Sequence, residues 1–499
     1  MRRVVLPPPA LVALPLLALL GLSAFLRTRG LGDSLWIDEG ISVGIASHPA
    51  AEIPGLLRQD GSPPLYYLLL HGWIDLAGTG EAVLRAPSLV FALLTVPAAL
   101  WGGCSLFGRR AGWLCATLAA LLPFLTVQAQ EARMYSLVAL LSVLAAAAFL
   151  HGFVRARRGF VLLFAFVLTL LLYTHYWTLF LVLGALAAFA ALLAGAPREG
   201  RRRLAADGLL AFGLPLLAFA PWVPTLAFHL EHTGAPWSNP PPAVALAGAA
   251  ALAAGAVVLP RLGRDEAERR ALQALALMAA VTLAAGWASA HLEPGWASRY
   301  LAVLAGPLLL LAGAALARLG AVGIAAAATL CAVWAVGYSP AEKSNVAGAS
   351  ALVAPRLQPG DLVVSTQPEQ VPVLAHYLPN GLRYATPLGP VADPAVMDWR
   401  NALPRLAQSR LEHALVPLLD SLPAGARVLL VAPAVGDGGR WRAPWTRLVV
   451  LRSEESEAVL SSDRRFRPLE RVASAGDTSR TSVRLTLYSK AEVASSRGR

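Results

Sequence analysis

The chain has 499 residues, of which 56% are hydrophobic and 14% charged, with a mean hydropathy of +0.57. A soluble protein of this size carries about 25% charged residues, so the composition specifies a polytopic membrane protein. The net charge of +12 does not point to nucleic acid, because the basic residues fall in short clusters between apolar runs rather than along one stripe.

In chain order, Met1-Arg2-Arg3 precede an apolar run to Leu26. That run is too long for a signal peptide and no small-residue cleavage site follows, so a retained first helix is expected. Segments long enough to cross a bilayer lie near 6–27, 84–106, 111–127, 134–153, 159–174, 176–194, 207–227, 244–260, 271–290, 300–317 and 320–338, about eleven spans. The shorter run 64–78 opens with Pro-Pro and is expected as an interfacial helix in the first external loop.

The loops sort by charge. Arg2-Arg3, Arg109-Arg110, Arg155/Arg157/Arg158, Arg198/Arg201/Arg202/Arg203, Arg261/Arg264/Arg269/Arg270 and Arg318 alternate with loops poor in Lys and Arg. The positive-inside rule makes the basic set and the N-terminus cytoplasmic, and an odd number of spans leaves the C-terminus outside a plasma or inner membrane. From about 340 the composition changes. Asp361–Ser365, Arg427–Ala432 and Val483–Tyr488 are strand-like, and Glu369–Tyr377 and Asn401–Leu419 have helical patterns. The expected organisation is a membrane domain over 1–340 and an extracytoplasmic α/β domain over 341–499, with a disordered tail at Ser495–Arg499. The polar region has no Gly-rich phosphate loop, so no nucleotide is assigned to it. Cys104, Cys115 and Cys331 have neither metal-ligand spacing nor a place in the polar region, so neither a cysteine metal site nor disulfides are expected.

The polar clusters collect on the face predicted to be external. Just after the first span, S-L-W-I-D-E-G (34–40) places Asp38 and Glu39 side by side, and Asp60-Gly61-Ser62-Pro63-Pro64-Leu65-Tyr66-Tyr67 follows. Carboxylates cost roughly 2.5–3.5 kcal/mol each at a helix centre on insertion scales, so a pair held at the membrane face is either a solvated loop end or a site. Later turns on the same face hold Glu131, Arg133 and Tyr135, then His175 between Thr174 and Tyr176, then His229, Glu231 and His232, then His291, Glu293, Trp296, Arg299 and Tyr300. Taken singly, His175 or Arg299-Tyr300 could be interfacial anchors, and Glu131 with Arg133 a turn salt bridge. The His229/Glu231/His232 spacing is a weak metal pattern. Together, acids, imidazoles, guanidiniums and aromatics on one face are what an externally facing active site requires.

The ordered motifs L-W-I-D-E-G (35–40), D-G-S-P-P-L-Y-Y-L-L-L-H (60–71), R-A-P-S-L (85–89), Q-E-A-R-M-Y-S-L (130–137), Y-T-H-Y (173–176) and S-R-Y-L (298–301) resemble the polyprenyl-phosphate-dependent glycosyltransferases of the GT-C fold. They are similar to glycosyltransferase family 39, the protein mannosyltransferases and the aminoarabinose transferases. The likeness covers about residues 1–340. One departure is Ser62, where many relatives carry histidine before the Pro-Pro, so no role of that histidine carries over.

The resemblance implies a sugar donor on polyprenyl phosphate and an inverting transfer to an acceptor hydroxyl. The acceptor would be a cell-envelope glycan or glycolipid, or, in the runner-up reading, a protein hydroxyl as in O-mannosylation. Asp38 is the expected base and Glu39 the next choice. Arg133 and Arg299 suit the departing phosphate, because guanidinium pairs bidentately with phosphate oxygens. His175 and Tyr300 would donate hydrogen bonds, and Tyr66 and Glu131 are further donor-binding candidates. Asp60 would orient the site or, with Asp38, help hold a Mg or Mn ion, although no cofactor is established by these residues. The competing reading from another class, a lipid or sugar transporter, predicts charges inside spans and internal repeats, of which the chain shows little.

Overall fold

The computed structural model describes residues 9–337, 343–434, 443–473 and 481–491. The Arg2-Arg3 cluster, the expected domain boundary at 340/341 and the tail 495–499 lie outside these. Every apolar segment expected from the sequence is helical over its described residues. Among the described residues six helices are long and apolar enough to cross a membrane, seven if Arg109–Leu121 and Pro123–Ala129, bent by 54°, count as one span. Four more apolar helices, Pro9–Thr28, Arg158–Leu172, Thr178–Ala194 and Gly320–Gly337, would all have to cross as well to make the expected eleven. At 1.5 Å per residue Arg158–Leu172 and Thr178–Ala194, of 15 and 17 residues, fall short of a hydrocarbon core of about 30 Å.

Burial orders the bundle. The apolar window of Tyr135–Val154 is 89% buried and that of Ala243–Leu262 only 17%, so the first is the central helix and the second lies at the rim. The small residues Ala145–Ala148 let neighbours close on the central helix. Outward-facing Leu14, Phe25, Phe166, Leu209 and Leu217 are exposed, as lipid contact demands. The segment 64–78 forms the helix Leu65–Ala77, which buries Tyr66, Tyr67 and Leu70.

The polar region builds a six-stranded sheet: β1 (Leu362–Ser365), β2 (Arg383–Thr386), β3 (Gly389–Val391), β4 (Arg427–Pro433), β5 (Phe466–Ala473) and β6 (Val483–Lys490), in the order β3-β2-β1-β4-β6-β5. Strand β1 pairs in parallel with β2 and β4, and the remaining neighbours are antiparallel. The three strand-like runs of the sequence become β1, β4 and β6. Strand β5 is not legible because F-R-P-L-E-R-V-A carries Pro468 and charges, which an edge strand tolerates, and its ladder is irregular between Pro468 and Glu470. The expected helix 401–419 is instead three short ones, Ala402–Gln408, Leu411–Ala414 and Val416–Ser421, the last opening with Pro417 in its first turn. The sheet alternates with period two. Leu362, Val364, Val428 and Leu430 face a small core capped by Leu411, Leu415 and Leu419. Val363, Leu429, Val431 and Leu485 join the core that continues into the membrane helices.

That continuity rests on the helix Ile37–Ala46, which carries the acidic pair. A Cβ on Gly40 would sit 2.7 Å from Val373 Cβ, and one on Gly44 would sit 1.9 Å from the carbonyl oxygen of Ala395. Two glycines four residues apart therefore bring the polar region into backbone contact with this helix. Backbone hydrogen bonds extend the junction: Trp399 N–H donates to the Gln59 carbonyl at 2.8 Å and Asn401 N–H to the His232 carbonyl at 2.7 Å. The Leu35 N–H donates to Tyr377 Oη at 2.8 Å. Gly44→Ala is expected to destabilise the protein by about 1–3 kcal/mol through overpacking. Gly72→Ala, at a helical glycine with open space around it, is expected to stabilise it by roughly 0.5–1 kcal/mol. Thermal melts of the two variants in the same detergent check the pair.

Candidate active site

Asp38 sits in the first turn of Ile37–Ala46 and lines a cavity of about 350 Å³. Asp60, Arg133, His175, Arg299 and Tyr300 line the same cavity, so the structure gathers residues from four separate stretches between the spans. The opposite ends of the helices gather basic residues: Arg158 pairs with Asp207 and Arg318 with Glu268, and Arg155 donates to the Leu106 carbonyl.

Arg133 Nη1 donates to the Asp38 carbonyl at 3.1 Å and to Ser42 Oγ at 2.7 Å, while its Nε is buried without a partner. Arg299 Nε donates to Tyr135 Oη at 3.2 Å, and its guanidinium lies 4.9 Å from the Trp237 ring centre. Arg299 Nη2 is 2.9 Å from Asp38 Oδ2, an ion contact not aligned as a hydrogen bond. Asp38 Oδ2 is thus a buried acceptor with no hydrogen-bond donor, flanked by cations. The Asp60 carboxylate accepts from Tyr67 Oη at 2.8 Å.

The His175 ring lies 4.8 Å from Tyr300 and 5.6 Å from Tyr135, tilted against both. Its Nδ1 accepts from the Trp177 N–H at 3.1 Å, which leaves the proton on Nε2. Burial pushes the imidazole down to about 3, and the Arg133 and Arg299 charges push the same way. His175 is therefore a neutral donor at physiological pH. The sign for stability follows: the unfolded imidazole, near 6.5, binds its proton where the folded one does not. Folding thus loses stability as pH falls from about 6.5 toward 3. His175→Gln is expected to flatten this acid limb in thermal melts between about pH 7 and 4.5.

Three expected site residues do not face the cavity. Glu39 is fully buried and takes a bidentate pair from Arg85, Nε to Oε1 at 2.7 Å and Nη2 to Oε2 at 2.6 Å. Its oxygens also accept from the N–H groups of Ala132 and Trp36. With every lone pair engaged away from the cavity, Glu39 is placed to hold the backbone around Asp38 rather than to abstract a proton. Glu131 pairs with Lys343 rather than with Arg133. Tyr66 is buried against Ser88 Oγ at 3.2 Å. The His229/Glu231/His232 pattern falls on the helix Val223–His232, where His229 meets Tyr176 Oη at 2.7 Å. Among the described residues no group of three or more His, Cys, Asp or Glu side chains has a metal-binding arrangement. Arg299 and Arg133 stand beside Asp38 where a cation with Asp60 was expected, so the residues present do not fit an Mg or Mn ion.

Residues that sequence reasoning did not select complete the cavity. Trp237 comes from the Pro-rich loop and Trp399 from the sheet region, and no spacing marks either. Tyr135 stands inside the Q-E-A-R-M-Y-S-L motif and on the expected face but has no role assigned from sequence, and the structure places it as the acceptor for Arg299 Nε.

Glu39→Gln is expected to cost about 3–5 kcal/mol, because it strands the buried Arg85 charge. Chemical or thermal unfolding in detergent, set beside the milder Asp38→Asn, checks this.

No protein-family model matches the chain, and no curated protein matches it in sequence. Solved structures do match it in shape. ArnT from Cupriavidus metallidurans bound to undecaprenyl phosphate superposes with a TM-score of 0.59 at 16% identity, covering 99% of this chain and 100% of that one. The mycobacterial arabinofuranosyltransferase AftD gives 0.53 at 13% identity over 97% of this chain and 42% of that one. An Archaeoglobus fulgidus oligosaccharyltransferase tethered to an acceptor peptide gives 0.50 at 13% identity over 88% of this chain and 72% of that one. Together with the ordered motifs around Asp38, Arg133, His175 and Arg299, these likenesses show that the chain is a membrane protein with the fold of the GT-C glycosyltransferases.

Proposed function

We propose that the protein transfers a sugar from a polyprenyl-phosphate donor to an acceptor hydroxyl at the extracytoplasmic face of a plasma or inner membrane, inverting the anomeric centre. The observation that carries this reading is Asp38 Oδ2, a buried acceptor without a hydrogen-bond donor at a cavity flanked by Arg133 and Arg299. Residues 1–340 form the catalytic membrane domain in this reading and 341–499 the extracytoplasmic domain. The basic clusters at the far ends of the helices support an orientation with that end in the cytoplasm.

In the reaction the acceptor oxygen bonds to the anomeric carbon and passes its proton to Asp38. The bond from that carbon to the phosphate oxygen breaks, and the electron pair leaves with the lipid phosphate. Arg133 and Arg299 stabilise the charge that develops there, where preorganised donors in a dry site act most strongly. Neutral His175 can donate from Nε2, and Tyr300 from its hydroxyl, without adding charge. The ArnT structure of the same fold holds undecaprenyl phosphate, which supports a lipid-phosphate donor. The motif likeness favours a mannose- or arabinose-like sugar and an envelope glycan or glycolipid acceptor over a protein hydroxyl.

The test uses purified protein in nanodiscs with a panel of labelled polyprenyl-phosphate sugars. Asp38→Asn is expected to lower transfer by ~10²–10⁴-fold while the protein remains folded. Arg299→Ala should weaken use of the donor. Full turnover by Asp38→Asn would remove Asp38 as the base.

A further inference from the structure

The proposed chemistry accounts for the side of the cavity that faces the membrane helices. It leaves unused the aromatic wall supplied from the sheet region. Trp399 lines the cavity, with 8% of its surface exposed and the rest packed in the core, yet belongs to the segment between β3 and Ala402–Gln408. This segment is held unusually firmly for a loop. The Trp399 N–H donates to the Gln59 carbonyl, one residue before Asp60, and the Asn401 N–H to the His232 carbonyl, with Asn401 in the left-handed region at φ 48°. The carboxylate of Asp398 takes a bidentate pair from Arg400.

Behind Trp399 stands a buried brace. The Trp445 ring lies 5.2 Å from it at 55°, and Trp445 is fully buried. The Trp445 indole N–H donates to Glu369 Oε1 at 2.8 Å, and Gln367 Nε2 donates to the same oxygen at 3.1 Å. Glu369 is itself 5% exposed. A buried carboxylate is costly and is kept where it fixes something. Here it fixes the plane of one indole and, through that, of the next.

Building on the glycosyltransferase reading, we infer that Trp399 is the platform on which the ring of a carbohydrate acceptor stacks, with Trp445 and Glu369 as positioning residues behind it. The face of a sugar ring presents C–H groups that suit the negative face of an indole, and a rigid aromatic offers contact area at little entropic cost. The side of entry separates acceptor from donor. The lipid tail of the donor must approach from the bilayer, among the helices, whereas Trp399 is presented by the polar region joined to the outer loops. The Trp399 contact thus selects for a sugar-bearing acceptor over a bare hydroxyl.

The experiment uses full-length protein in nanodiscs labelled with 5-fluorotryptophan. The Trp399 resonance is assigned by its loss in Trp399→Phe. Mannobiose, arabinobiose, a serine-bearing peptide and undecaprenyl phosphate are titrated separately. A shift with a saccharide that exceeds the shift with the peptide or the lipid phosphate is expected. No saccharide shift, or an equal or larger one with lipid phosphate or peptide, overturns the platform. In transfer assays Trp399→Leu should raise KM for a glycan acceptor about tenfold and leave donor KM within about twofold. Unchanged acceptor KM overturns the inference as well. Glu369→Gln, which keeps an acceptor for the Trp445 indole, should retain the saccharide shift, and Glu369→Leu should lose it. Because the shift needs no turnover, a bound saccharide without transfer counts against the transferase reading alone, and transfer indifferent to Trp399 counts against the platform alone.

Discussion

The buried pair between Glu39 and Arg85 is the constraint on which the rest of the site depends. Arg85 reaches from the long helix Glu81–Phe107 and donates to the carbonyls of Leu31, Asp33 and Ser34 as well as to Glu39. Glu39 in turn binds the N–H of Trp36 at the start of its own helix and the N–H of Ala132 in the turn that carries Arg133. Two charges taken out of water are tolerable only when all their hydrogen-bonding capacity is used, and here it is shared among three backbone segments. The consequence reaches Asp38, one residue away on the helix and turned to the cavity instead. An adjacent acidic pair has split into a structural carboxylate and an open one.

The second constraint is steric. The helix that carries Asp38 has Gly40 and Gly44 on the side that meets Val373 and Ala395, so the sheet region lies against backbone rather than against side chains. The distance between the membrane helices and the sheet is thereby fixed at the point where the cavity forms. The same junction brings Trp399 beside Gln59 and Trp445 beside Pro236, and so binds both outer loops to the polar region. The cavity has no single owner in the sequence. Its acid comes from the first loop, its cations from the turns before two later helices, and part of its aromatic wall from beyond residue 390.

Much of the fold was legible because the signals are local. A bilayer-length apolar run is helical wherever it occurs, since backbone groups in lipid must bond within their own segment. The strands β1, β4 and β6 are dense in Val and Leu. Strands β2, β3 and β5 were not legible: β2 and β3 are only four and three residues long, and β3 and β5 carry proline, which their places at the two edges of the sheet tolerate. The split of 401–419 into three helices sends Leu406 to the core shared with the membrane helices and Leu411, Leu415 and Leu419 to the smaller one, which a helical pattern in one dimension does not report.

For the site, the sequence by itself determined which residue types stand at one membrane face and placed Asp38 with Asp60, Arg133, His175, and Arg299 with Tyr300 in four separate stretches on that face. Chemistry with acid, guanidinium and imidazole was readable because such groups, each costly near hydrocarbon, collect on one face while the other carries arginine. Only the tertiary structure decided which of two neighbouring carboxylates opens to the cavity, because Asp38 and Glu39 are chemically alike and differ in what lies opposite them. It also decided that Glu131 is bound to Lys343, more than two hundred positions away in the chain, and that Trp399 stands in the cavity wall. Contacts at that separation leave no periodicity or spacing behind, since they are set by the packing of whole elements and not by the residues on either side.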